Sequence, residues 1–217
     1  MKILHIEASP RCEQSHSSRV ARVFLEACDS ANPGLIIDRL NVFEDRLPAY
    51  GREGASQKMA HIARLVESGE GLEAAGEWSG VLEQIQRLKS ADKVLISSAM
   101  WNFSIPYPLK HYIDLVCQPG LTFGVNARGQ YVGLLKGKPL QLILSRGSEY
   151  RKGFPEAGDG IKTDYQSAYL RHIGAFLGFE LAGEILIQPT EAKGPQHAAG
   201  MMELALAAAR EAGARFQ

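Results

Sequence analysis

Cysteine is scarce in this sequence. Cys12, Cys28 and Cys117 are the only three in 217 residues, and they lie far apart. An odd, dispersed set with no C-x-x-C pair argues against a disulfide framework or a zinc site. Long apolar runs are also missing, since none approaches the roughly 18 residues that a membrane helix needs. Neither sign of charge is in excess. Lys and Arg total 24, Asp and Glu total 24, and the pI is near 7.0. A neutral chain has no electrostatic footprint for nucleic acid or an anionic membrane. It also lacks the strong acidity of an electron carrier that docks by charge. Nothing before the strand-like Lys2–Glu7 reads as a signal peptide, so the cytoplasm is the expected compartment. Two nucleotide motifs, G-x-G-x-x-G and G-x-x-x-x-G-K-[ST], do not occur. Nor is there a C-x5-R phosphate cradle around Cys12, a Ser-His-Asp set or a metal-ligand cluster. Neither a protein nucleophile nor a metal is expected.

What the chain has is alternation. Short apolar runs at Lys2–Glu7, Ile36–Phe43, Asp92–Ala99, Lys138–Ser145 and Leu181–Gln188 read as strands. Between and after them, Ser17–Ala31, Gln57–Leu65, Gly80–Leu88, Tyr107–Cys117, Thr163–Phe176 and Pro195–Arg215 read as helices. Such alternation predicts an α/β fold with a parallel sheet covered on both faces. One domain spanning residues 1–217 is expected. A hairpin-like excursion interrupts it at Gln118–Gly137, with β-like runs around Phe123 and Tyr131 flanking Asn126–Gly129. A loop of that length in a compact domain is usually functional.

In open parallel sheets, ligands bind beyond the carboxyl ends of the strands. Three loops there draw attention. The first, Ala8–Ser18, carries Ser9, Arg11, Ser15, His16 and Ser17 into a helix start. Free N–H groups, hydroxyls and a cation at a helix N-terminus suit a single phosphate. An ordinary serine N-cap gives the same pattern. The second loop, Met100-Trp101-Asn102-Phe103-Ser104-Ile105-Pro106, can wall a flat heteroaromatic ring, with Asn102 addressing its polar edge. The bland alternative is an apolar loop tucked under a helix. The third, Ser145-Arg146-Gly147-Ser148, is a weaker signal whose glycine permits close backbone approach.

Together these loops resemble the FMN-dependent azoreductase and NADH:quinone reductase family. The likeness is carried by Met100–Pro106, then Leu109-Lys110 and Asp114, then Gly120-Leu121-Thr122-Phe123. In that family the corresponding stretch reads M-Y-N-F, a helix with L-K and D, then G-x-T-F. Here Trp101 stands where Tyr is common, and Ser148 replaces a second glycine. The resemblance implies a flavodoxin-like three-layer sandwich with strand order 2-1-3-4-5. It assigns Ser9, Arg11, Ser15, His16 and Ser17 to the FMN phosphate region. Met100, Trp101, Asn102 and Phe103 fall along the flavin ring, and Ser145, Arg146, Gly147 and Ser148 at its pyrimidine end. It further implies a homodimer, NADH or NADPH as donor, and quinone or azo acceptors. The length and aromatic content of the 118–137 excursion point to Phe123 and Tyr131 shaping the acceptor pocket at a dimer interface, where the bland alternative is a hairpin that caps the sheet edge.

The flavin would carry the chemistry. One shielded ring face leaves the other to donor and acceptor in turn, so ping-pong kinetics are expected. Three rivals stand beside this expectation: a non-enzymatic flavin-binding electron carrier or redox sensor, a reductase that releases FMN as product, and a phosphate-binding hydrolase. Length and neutrality disfavour the carrier. The hydrolase lacks its nucleophile and base.

Overall fold

Strand β1 (Lys2–Ala8) is buried along almost its whole length. It is flanked by β2 (Ile36–Asn41) on one side and β3 (Lys93–Ala99) on the other, both parallel to it. In the computed structural model, which describes residues 1–71, 73–150 and 163–216, the sheet continues through β6 (Pro139–Ser145) to β7 (Glu180–Ile187). Strands β4 (Phe123–Val125) and β5 (Tyr131–Gly133) form a separate antiparallel hairpin. The sheet order β2-β1-β3-β6-β7 is therefore the expected 2-1-3-4-5 arrangement, with the hairpin strands outside it.

Alternate side chains along these strands feed two cores. Ile3, Leu95, Ile143, Ile185 and Ile187 meet α1 (His16–Ala31) and α6 (Pro195–Arg215), which seal their own contact with a Phe24–Phe216 edge pair. Leu4, Ile6, Val94, Ile96, Leu142 and Leu144 face the opposite way, toward α3 (Gly76–Ser90), α4 (Tyr107–Val116) and α5 (Tyr165–Leu177). Parallel strands buried on both faces read as near-continuous apolar runs, which is why they were recognisable. Polar groups interrupt these faces: His5 and Glu7 of β1 lie on the α1 side, where His5 meets Ser97 at 2.8 Å and Glu7 pairs with Arg39 at 2.6 Å, and Gln141 and Lys93 are buried as well.

The helices before β3 run further than periodicity predicted. α2 spans Arg52–Ser68 and α3 spans Gly76–Ser90. Their starts cap each other across space. The Glu77 carboxylate accepts from the Gly51 and Gly54 N–H groups at 3.0 and 2.6 Å, and the Gln57 carbonyl accepts from Trp78 N–H at 2.9 Å. These partners satisfy orphan N–H groups that local sequence offers no cap for.

The hairpin sits at the far end of α5. Phe123 and Tyr131 pack on Phe176, with ring centroids 4.7 and 5.7 Å away. Gly133 abuts the α5 C-terminus so closely that a Cβ on it would lie 2.2 Å from Gly178 N. Gly178 itself ends the helix in the left-handed region at φ 98°. Among the described residues, no helix is long and apolar enough to cross a membrane.

Candidate functional site

The chain order reverses beside β1, which has β2 on one side and β3 on the other. A crevice forms beyond the carboxyl ends at such a point. The loops leaving β1, β2, β3 and β6 converge there.

The β1 loop turns through a short 3-10 segment, Cys12–Gln14, before Ser15 caps α1. Ser9, Ser15 and Ser17 are all buried. Ser15 Oγ accepts from Ser18 N–H at 3.4 Å and lies 3.1 Å from Ser17 Oγ. The first-turn N–H groups have no intrahelical acceptors. His16 Nδ1 and Ser18 Oγ are also buried without a hydrogen-bond partner among the described residues. The polar capacity at the head of α1 thus exceeds what the protein itself uses. The local potential is positive. Burial first, then the Arg19 and Arg11 guanidinium groups, hold His16 below its ordinary pKa, against an opposing pull from Glu191. The same field favours an anion. A groove of about 800 Å³ opens beside it, lined by His16, Arg19, Thr190 and Glu191 and by the start of α6.

The β3 loop has an unusual backbone. Trp101 and Ser104 exchange two N–H···O bonds of 3.0 and 2.9 Å, closing a two-residue turn. Asn102 (φ 46°) and Phe103 (φ 70°) both lie in the left-handed region, the pattern of a type I′ turn. Asn tolerates this conformation; Phe is strained in it. Strain of this kind persists where function holds it in place. Trp101, Asn102 and Phe103 are exposed at the carboxyl edge. Phe43, from the β2 loop, packs tilted with its ring 5.5 Å from Trp101, and Tyr107 stands 6.2 Å from it. Tyr150 meets Phe103 edge-on at 5.8 Å. The result is an aromatic ledge. Met100 N–H donates to Ser145 O at 2.9 Å and so ties this loop to the third.

In the third loop the structure places Arg146 inward. Its N–H bonds Ile187 O, and its carbonyl accepts from Thr190. Its guanidinium is 1% exposed and engages Asp164, Gln166 and Gln188. Arg146 supports the edge and offers no surface group. Ser145 is buried, while Gly147 and Ser148 are half-buried on the turn.

The residues of the first and second loops are therefore brought to one edge, together with the 145–148 turn. Phe123 and Tyr131 are not. They lie at the opposite end of α5, about 16 Å along a helix whose first N–H bonds Phe103 O. Sequence reasoning missed Phe43, Tyr107, Tyr150 and Asp164. Inspecting the loop after β2 would have found Phe43, and the Asp-x-x-Ser helix start would have found Asp164.

A parallel sheet reversing at β1, with an anion-seeking helix start beside an aromatic ledge, defines a flavodoxin-like nucleotide-binding protein. The chain belongs to the flavodoxin-like fold family, which it matches over residues 1–212. A relative from Nitratidesulfovibrio vulgaris (strain DP4), an FMN-dependent NADH:quinone oxidoreductase, is 41% identical over 217 residues and covers 99% of both chains. FMN-dependent NADH:quinone oxidoreductase 2 of Pseudomonas syringae pv. tomato is 35% identical over the full length of both. Among solved structures, the FMN-dependent NADH-azoreductase from Bacillus anthracis str. Ames Ancestor in complex with FMN superposes with a TM-score of 0.79. It is 27% identical and covers 99% of this chain and 98% of its own.

Proposed function

We propose that this protein is an FMN-dependent oxidoreductase that passes two electrons from NADH to quinones and to azo compounds. The observation that carries this reading is the strained Trp101–Ser104 turn standing beside the unspent polar groups at the head of α1. The residues fit FMN at both ends, a buried serine pair for the phosphate and an exposed cluster of mutually tilted aromatic rings beside the ring site. Bound FMN supplies hydride acceptance and release, chemistry that amino-acid side chains do not provide.

The chain's own part is binding, orientation and electrostatics. Ser15 and Ser17 hydroxyls and first-turn N–H groups donate to the phosphate, and Arg11 adds charge. The Met100–Phe103 segment shields one face of the ring, and the Asn102 amide addresses its polar edge. Main-chain donors of the Ser145–Ser148 turn stabilise negative charge that develops at the pyrimidine end. One open face then serves NADH and the acceptor in turn. The ledge is exposed in a single chain, and the hairpin lies far from its own edge loops. Both features favour a homodimer in which Phe123 and Tyr131 serve an acceptor pocket across the boundary. A donor drawn from the pyridine-nucleotide pool favours the cytoplasm.

The deciding experiment is a visible absorption spectrum of protein reconstituted with FMN and desalted. Flavin bands should survive desalting, bleach on NADH addition and return with a quinone. A protein that retains no flavin overturns the reading. Ser17→Ala is the cleanest site variant, because Ser17 is buried and does not cap the helix. Loss of one hydrogen bond to a charged group, about 1.5–3 kcal/mol, should weaken FMN binding roughly 10- to 100-fold by fluorescence titration.

A further inference from the structure

A guanidinium with no access to water is costly unless its charge is paired and its donors are used. Arg146 is in that position, at 1% exposure. Its partners come from separate parts of the edge. Nη1 bonds Asp164 Oδ2 at 2.7 Å and Gln188 Oε1 at 3.3 Å, and Nε bonds Gln166 Oε1 at 3.0 Å, while Nη2 is buried with no hydrogen-bond partner among the described residues. Gln166 in turn donates to Ser98 O of β3 at 3.4 Å. One side chain thus joins the carboxyl ends of β3, β6 and β7 to the start of α5.

Asp164 does two jobs. Its Oδ1 caps α5 by accepting from Ser167 N–H at 3.0 Å, while Oδ2 holds Arg146. The next residue, Tyr165, donates its N–H to Phe103 O at 3.1 Å. Phe103 is the more strained of the two left-handed residues on the ledge. A strained turn needs outside support, and here that support comes from α5, whose first turn is anchored by Arg146.

We propose that Arg146 is a positioning residue: paired with Asp164, it braces the Trp101–Ser104 turn and the Ser145–Ser148 turn at a fixed spacing, so that both ends of a flavin ring are held in register. This role rests on the assignment of the ring to those turns under the proposed function. A loosened brace lets the two turns shift relative to each other and weakens hydrogen bonds made at both ends of the ring, so it should be visible in cofactor binding and in the ring's optical environment.

The test is Asp164→Asn. Asn caps helices as well as Asp, so the N-cap is kept while the charge pair is lost; the stranded Arg146 charge lowers stability, which urea denaturation reads separately from FMN binding. FMN titration of the apo-protein should show at least tenfold weaker binding, and the visible circular dichroism of bound flavin should change. A second variant, Arg146→Met with Asp164→Asn, removes the pair without stranding a charge, a replacement that often leaves stability intact. If the double variant is as stable as wild type and still binds FMN weakly with altered dichroism, the brace stands. If it regains wild-type affinity and dichroism, or if Asp164→Asn changes neither, the pair is only structural and the proposal fails. Asn102→Ala separates the two levels. An Asn102→Ala effect without an Asp164→Asn effect sinks the brace alone; no effect from either sinks the ring assignment with it.

Discussion

At the scale of single residues, the most perturbed group near the edge is one that the proposed chemistry does not use. His5 is buried on β1, hydrogen-bonded to Ser97. Burial lowers its pKa from 6.5 to about 4; the Glu7 carboxylate opposes the shift and Arg39 adds to it. The folded protein therefore holds His5 neutral where the unfolded chain would protonate it. Its contribution to stability is complete above pH 6.5 and is lost as the pH falls from 6.5 toward 4. The loss should reach about 3 kcal/mol. Urea midpoints measured across that window should decline, and His5→Gln, which keeps a hydrogen-bonding amide but does not titrate, should show a flatter dependence. An equal decline in the variant would assign the effect to other groups. Residues differed in how visible they were beforehand. Ser15 and Ser17 were legible because helix capping is local chemistry. Trp101–Phe103 stood out because aromatics at a strand end have few other uses. The left-handed backbone at Phe103 was not legible, because no local preference places Phe there; the Trp101–Ser104 bonds close the turn around it and the Tyr165 N–H holds its carbonyl from α5.

Secondary-structure elements repeat that contrast. The sheet strands lie within two residues of the ends expected from sequence; the three central ones are buried on both faces and the edge strands β2 and β7 are more exposed. Helices α2 and α3 were read short because their caps are supplied by each other. Glu77 stands 23 residues beyond Gly54, and no windowed reading of sequence links them. Glu77→Ala should strip two N–H groups of their acceptor at the start of α2 and cost about 1–2 kcal/mol. The loss should appear in chemical denaturation with FMN affinity unchanged, since both helices lie on the face away from the head of α1. A variant as stable as wild type would show that water replaces the cap. Arg146 marks the limit of inference from loops: its position on the turn was right, but the inward direction of its side chain depends on Asp164, Gln166 and Gln188 from two later elements.

For the whole molecule, the strand order was available only through family resemblance, because periodicity says nothing about which strand neighbours which. Once the order is known, the edge loops follow from it. The single open ring face proposed above carries a kinetic consequence. Initial rates at varied NADH and several fixed quinone concentrations should give parallel double-reciprocal lines, the mark of a donor that leaves before the acceptor enters. Intersecting lines would mean that the two substrates bind together and would require a second open face. The hairpin's seat on α5 has a different kind of consequence. Main chain meets main chain where Gly133 faces Gly178, and even a methyl group at position 133 would collide with backbone atoms. Side-chain repacking cannot relieve that collision, because the obstructing atoms are common to every amino acid. At the exposed hairpin tip, Ala127 and Arg128 can change freely between Asn126, whose side chain holds the turn, and Gly129 at φ 76°, while the root at Gly133 tolerates only glycine. Mutational change in this region can alter what the hairpin presents, but not where it is mounted.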